Sequence, residues 1–238
     1  VRTLVLDVSG DYAQFKKPYS PMSPVSYPFP PPTAVLGMLG AIAGYSKADY
    51  ARRLGWDTAR IGIRLLAPVR VFHAAINLLQ TKDGTDVFFR PRAGQNTHTQ
   101  VPYEFLREPA YRLYVAGLPE VAAEDVQREL KAGRSGYTVT LGLASCLADV
   151  TWIGTGDAAP ITDAEWTTRA VVPLVPGLEV DYENGRRYQR LRVPTAMDGE
   201  RVVHRYQEVV VAEDGLSVRG QGGSGQLFEV HGETLAFL

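Results

Sequence analysis

The chain has 238 residues, 45% of them apolar and 21% charged, with a net charge of −1; this is enough for one large domain or two small ones, each with its own core. The near-neutral charge argues against nucleic acid as a partner, since phosphate binding usually leaves a basic footprint, although a neutral average can conceal a basic face. The one cysteine, Cys146, excludes an intramolecular disulfide and a cysteine-based zinc cluster.

Arg2 to Gly10 is a short β-branched-rich run and reads as a core strand. Residues 16–32 carry prolines at 18, 21, 24, 28 and 30–32, which exclude helix and central strand. Tyr19, Tyr27 and Phe29, with Ser20, Ser23 and Ser26, make this a rigid loop held across a surface rather than a linker. Thr33 is placed to N-cap an apolar helix from Ala34 to about Tyr45. Glycines 37, 40 and 44 within it each cost roughly 1 kcal/mol against alanine, so close backbone approach is expected there.

Ile61 to Ile76 suggests one or two strands, with His73 expected as a core histidine. Residues 80–100 are polar, with turn signals at Asp83-Gly84 and Gly94. Arg112 to Val115 reads as a strand. Pro119 to Lys131 reads as a helix, with Val126 and Leu130 on its core side and Gly133 beyond its end. Tyr137 to Leu143 and Ala148 to Ile153 read as strands, with Cys146 between them as a small buried apolar residue.

The order β, α, β, polar insertion, β, α, β over residues 1–155 predicts an α+β fold of ferredoxin-like type, an antiparallel sheet with two helices on one face. Residues 156–238, with short strand-like runs and turn signals at Asn184-Gly185, Asp198-Gly199 and Asp214-Gly215, predict a small all-β C-terminal domain. The apolar run from Ala34 to Gly44 is too short to span a bilayer, and the N-terminus lacks a basic-then-apolar signal pattern. A cytoplasmic protein with no membrane partner is expected.

Three segments combine positive and aromatic character: Phe15 to Tyr27, Phe88 to Gln100, and Arg186 to Arg192. Lysine and arginine neutralise phosphates, while aromatic and guanidinium planes stack unpaired bases. The second segment lies in about thirty residues between two strands, a length that is often functional. No metal site is expected, because His73, His98, His204 and His231 show no ligand spacing. There is no nucleophile elbow, and Gly220 to Gly225 reads as a hairpin turn, not a phosphate loop. No cofactor is implied. Metal-free RNA cleavage by Tyr45, His98 and a lysine such as Lys82 is the alternative.

Leu6 to Tyr19, then Ser23 to Ile42 with its proline block and glycine-spaced helix, closely resembles the opening signature of the fifth family of CRISPR-associated proteins, in its type I-B branch. Gln100 to Arg112 and Tyr137 to Asp149 are similar to its later blocks. The resemblance implies a Cascade subunit with a ferredoxin-like body and a protruding β-hairpin thumb, here about residues 79–111. Such a subunit caps the 5′ handle of the crRNA, touches the backbone and large subunits, and meets target DNA through the complex. The expected RNA-binding residues are Lys16, Lys17, Tyr19, Ser20, Ser23, Tyr27, Arg90, Arg92, Asn96, Thr97, His98, Gln100 and Arg107. A type I-C relative cleaves precursor RNA with a tyrosine and an adjacent lysine and histidine. This chain contains no Lys-His pair, so no catalytic residues are expected.

Overall fold

In the computed structural model, which describes residues 1–20, 22–79 and 97–238, the opening run forms the strand Arg2–Ser9. It pairs antiparallel with Ala110–Ala116 on one side and Asp149–Asp157 on the other. Arg60–Leu65 adds to the far edge of Ala110–Ala116. By place in the chain, the four strands therefore lie in the order second, third, first, fourth.

Side chains alternate across a strand, and here both faces are covered. Leu4, Leu6 and Val8 enter the main core under the helices, while Val5 packs with Tyr114, Val230 and Leu235 on the opposite face. That two-sided burial is why the segment reads as a continuous apolar run. Asp7 lies opposite Arg112 in register, and Arg112 donates through Nε and Nη2 to its two carboxylate oxygens at 2.7 and 2.9 Å. A two-point pair of this kind fixes geometry as well as charge.

Two long helices, Pro32–Ala43 and Glu120–Lys131, pack against one another. Thr33 is not the cap of the first. The helix starts at Pro32, with Pro31 at the cap position and no side-chain cap bond, because proline presets the helical φ and lacks an N–H that would be orphaned there. Gly44 ends the helix at φ 72°. The three glycines have separate roles: a Cβ on Gly40 would meet Tyr50 Cβ at 2.8 Å, whereas Gly37 has nothing within 4 Å. The second helix buries Ala122, Ala123, Val126 and Leu130.

Residues 137–143 are not a strand. They form an irregular segment whose one bridge is Thr140 to Leu147. Gly142 lies at φ 97°, and Leu141 turns its carbonyl to the Gln14 N–H at 2.9 Å, so the backbone serves a crossing loop instead of a ladder. Cys146 is buried.

Val71–Leu79 and His98–Arg107 pair as antiparallel arms of a hairpin. His73 sits on it with a side chain 72% exposed, 3.6 Å from Glu104, so it is not a core histidine. Its apolar neighbours belong to an arm that projects from the sheet, with most of its residues exposed or half-buried.

The C-terminal third is built of short antiparallel strands, dominated by the hairpin of Tyr188–Met197 and Val203–Ala212. Val193, Val209 and Val211 from this hairpin, with Leu238, enter the same core as the helices. Asn184-Gly185 and Asp214-Gly215 do turn the chain, with positive φ at both glycines. Within the glycine-rich run, Val218–Gly222 is a strand between Glu165–Thr168 and Leu178–Asp181, and only the residues after it turn. Gly220 is needed there because a Cβ would come within 2.2 Å of the Trp166 ring.

Candidate nucleic-acid interface

The proline-rich loop is closed at its base. Phe15–Lys16 pairs with Ser26–Tyr27, and the Phe15 N–H donates to Ser26 Oγ at 2.9 Å. The Lys17 N–H reaches the Val25 carbonyl at 2.9 Å, and Tyr111 Oη donates to the Pro28 carbonyl at 2.9 Å. Phe29 is fully buried. Side-chain oxygens thus replace ladder bonds that the seven proline ring nitrogens of residues 16–32 cannot donate.

This loop, the start of the first helix, the hairpin and the C-terminal strands enclose a cleft of about 380 Å³. Lys16, Tyr27, Tyr103 and Tyr206 line it, with Gln14 and Thr33. Tyr27 donates its hydroxyl to the Arg192 carbonyl at 3.0 Å. Burial, and then the neighbouring Tyr19 and Tyr206 hydroxyls, push its pKa up to about 12. The Arg192 guanidinium lies 4.7 Å from the Tyr206 ring centroid, within cation–π range. Tyr27 is 2% exposed and underlies the wall, so the faces on offer are those of Tyr103 and Tyr206, beside Lys16 in the lining and Arg192 against Tyr206, the combination that holds unpaired nucleotides.

The expected residues divide. Lys16 and Tyr27 line the cleft. Lys17 is buried at 9% exposure, its Nζ 5.7 Å from the Tyr27 ring centroid, so it supports that ring from behind. Tyr19 is 72% exposed at the loop tip. Ser20 Oγ accepts from the Val25 N–H and donates to the Lys17 carbonyl, and Ser23 Oγ donates to the Pro102 carbonyl at 3.2 Å; both hydroxyls are engaged in shaping and docking the loop. Thr97 Oγ1 lies 2.9 Å from His98 Nδ1, and Gln100 faces Asn77 across the hairpin. Arg107 is at the hairpin base, 3.7 Å from Glu108. Arg90, Arg92, Asn96 and Lys82 lie outside the described residues.

Gln14, Thr33, Tyr103 and Tyr206 line the cleft, and Arg192 lies at its edge, though none was among the expected RNA-binding residues. Only Arg192 carried a signal, through its basic segment. Within that segment Arg186 makes a two-point contact to Asp214 at 2.9 Å from both Nε and Nη2, and Arg190 is paired with Glu208.

Over residues 3–211 the sequence matches the family described as CRISPR-associated protein (Cas_Cas5). The chain belongs to the Cas5 family. No curated protein sequence matches it. Among solved structures, a CRISPR protein from Archaeoglobus fulgidus is 15% identical with a TM-score of 0.58, aligning 99% of this chain with 98% of its own. A chain of a CRISPR RNA-guided surveillance complex is 17% identical with a TM-score of 0.52, over 88% of this chain and 89% of its own. At these identities the likeness is one of fold.

In this Cas5 chain, Tyr45 is 8% exposed and donates its hydroxyl to Asp125 Oδ2 at 2.6 Å. Burial and that bond push its pKa up to about 12, which opposes a phenolate base near neutral pH. A raised pKa stabilises the fold fully below the ordinary value of 10 and ceases to do so as pH climbs through the folded value. Urea midpoints measured from pH 9 to 12 are therefore expected to fall across that window, and to fall less steeply in Tyr45→Phe. Among the described residues no group of three or more His, Cys, Asp or Glu could hold a metal ion, and no helix is long and apolar enough to cross a membrane.

Proposed function

We propose that this Cas5 chain is a non-catalytic crRNA-binding subunit of a type I Cascade complex, in the I-B branch, and holds the 5′ handle of the guide. The observation that carries this reading is the cleft. Lys16 and Tyr27 from the signature loop meet Tyr103 from the hairpin and Tyr206 from the C-terminal strands in one wall. Single-stranded RNA is held by such stacking faces and backbone cations. The strand order of the sheet, with two helices beside it, fits a ferredoxin-like body, and the hairpin of Val71–Leu79 and His98–Arg107 fits the base of a thumb. The likeness to a chain of an RNA-guided surveillance complex supports crRNA and fellow complex subunits as partners; in this reading those subunits are the backbone and large subunits, and target DNA is reached through the assembly in the cytoplasm.

Incubation of the purified chain with labelled CRISPR-repeat RNA in EDTA, followed on native and denaturing gels, tests this directly. A shifted but intact RNA is expected. A discrete cut would make the chain a metal-independent processing nuclease and overturn the assignment.

A further inference from the structure

A second cleft, of about 540 Å³, lies between the start of Arg60–Leu65 and the C-terminal strands. Arg60, Arg205, Gln207, Gln226, Phe228 and Phe237 all line it. None of them belongs to the Lys16 cleft. Arg60 is exposed and its side chain has no hydrogen-bond or ion-pair partner among the described residues. Arg205 donates through Nε to Thr195 Oγ1 at 3.1 Å, which aims the fork and leaves its terminal nitrogens unbonded. Asp57 is also in the lining, and neither guanidinium is bonded to it.

The remaining wall is flat or amide. Phe228 and Phe237 lie 5.3 Å apart, tilted by 55°. Gln207 Nε2 donates to the Leu174 and Glu208 carbonyls, which leaves its oxygen as an acceptor. Gln226 Nε2 donates to the Pro176 carbonyl at 3.3 Å, while its Oε1 is buried with no partner.

From these groups we infer that the cleft is a second nucleic-acid site, taking one nucleotide of a single strand. The two arginines recognise the phosphate, as planar forks with no competing carboxylate bonds. The phenylalanine pair packs against the base, and the Gln207 amide oxygen accepts from its ring or exocyclic N–H groups. An acidic peptide would use the arginines but leave the apolar faces and the amide acceptor unmet. This inference does not rest on the function proposed for the Lys16 cleft.

Ten-residue RNA and DNA strands carrying 4-thiouridine or 4-thiothymidine, photocrosslinked to the full chain and mapped by mass spectrometry, decide it. Crosslinks on peptides containing Phe228 or Phe237 are expected, and the arm that gives them names RNA, DNA or both as the source. Arg60→Gln with Arg205→Gln is expected to cut that yield about tenfold, and to lower the salt slope of binding by about 0.7 for the one phosphate. The yield at the Tyr103 peptide should not change. Crosslinks confined to the Tyr103 cleft, or a yield at Phe228 and Phe237 indifferent to the double substitution, would overturn the inference. So would binding of a fluorescent decaglutamate, lost in the double variant, without any crosslink of either nucleic acid. Urea denaturation of the double variant checks its fold, and the wild-type map alone decides the question should it not fold.

Discussion

Replacement of Gly142 by alanine is expected to lower stability by about 2–5 kcal/mol, combining about 1–2 for a left-handed backbone and about 1–3 for overpacking. Gly142 lies at φ 97°, and a Cβ there would come within 1.9 Å of the Gln14 carbonyl oxygen and 3.4 Å of the Phe15 ring. Neither neighbour can yield easily. The Gln14 N–H is bonded to the Leu141 carbonyl, and Phe15 is 3% exposed, packed edge-on to Tyr111 at 6.3 Å. Because Gly142 also lines the Lys16 cleft, the variant should lose RNA binding together with stability. Urea denaturation measures the first effect. Gly37→Ala, inside the first helix with nothing within 4 Å of the added carbon, is the matched control and should stabilise by roughly 0.5–1 kcal/mol. An unchanged midpoint for Gly142→Ala would show that the crossing of residues 141–142 over Gln14 is not fixed.

Local chemistry made much of the frame legible. The Arg2–Ser9 strand, the two long helices and the C-terminal hairpin turns follow from β-branched runs, helical periodicity and Asn-Gly or Asp-Gly pairs. The errors came where backbone partners are distant in sequence. Tyr137 to Leu143 has strand-like composition, but the Tyr137 N–H is taken by the Ala41 carbonyl and the Leu141 carbonyl by Gln14, both across the molecule. His73 sits in an apolar run, but that run is a projecting arm. The site divides in the same way. The Phe15 to Tyr27 loop was legible as a unit, and Lys16 and Tyr27 do reach the cleft. Lys17 looked equivalent to Lys16, yet strand alternation turns it inward beneath Tyr27. Tyr103 and Tyr206 reach the same wall from positions more than a hundred residues apart, and no spacing rule connects them.

Tyr206→Ala is expected to weaken binding of the chain to handle RNA by about 1–3 kcal/mol, the range for one stacked base, or roughly five- to 150-fold in Kd. Tyr206 is 39% exposed, so truncating it removes little core and the loss should fall on affinity rather than on the urea midpoint. It carries no charge, and the salt dependence of binding should therefore keep its slope. Lys16→Ala makes the converse prediction: a smaller loss of affinity, with the slope reduced by about 0.7 for one phosphate contact on a single strand. Arg192 lies over the Tyr206 ring and couples the two effects, so the double variant Tyr206→Ala with Arg192→Ala should lose less than the sum of the single losses. Tyr182 is 57% exposed, contacts Tyr188 edge-on and does not line the cleft, which makes Tyr182→Ala the control for loss of a surface aromatic. Fluorescence anisotropy across a salt series separates these outcomes. If Tyr182→Ala and Tyr206→Ala lose affinity equally, base stacking is not localised in this cleft, and the lysine of the signature loop would have to bind the backbone without a neighbouring platform.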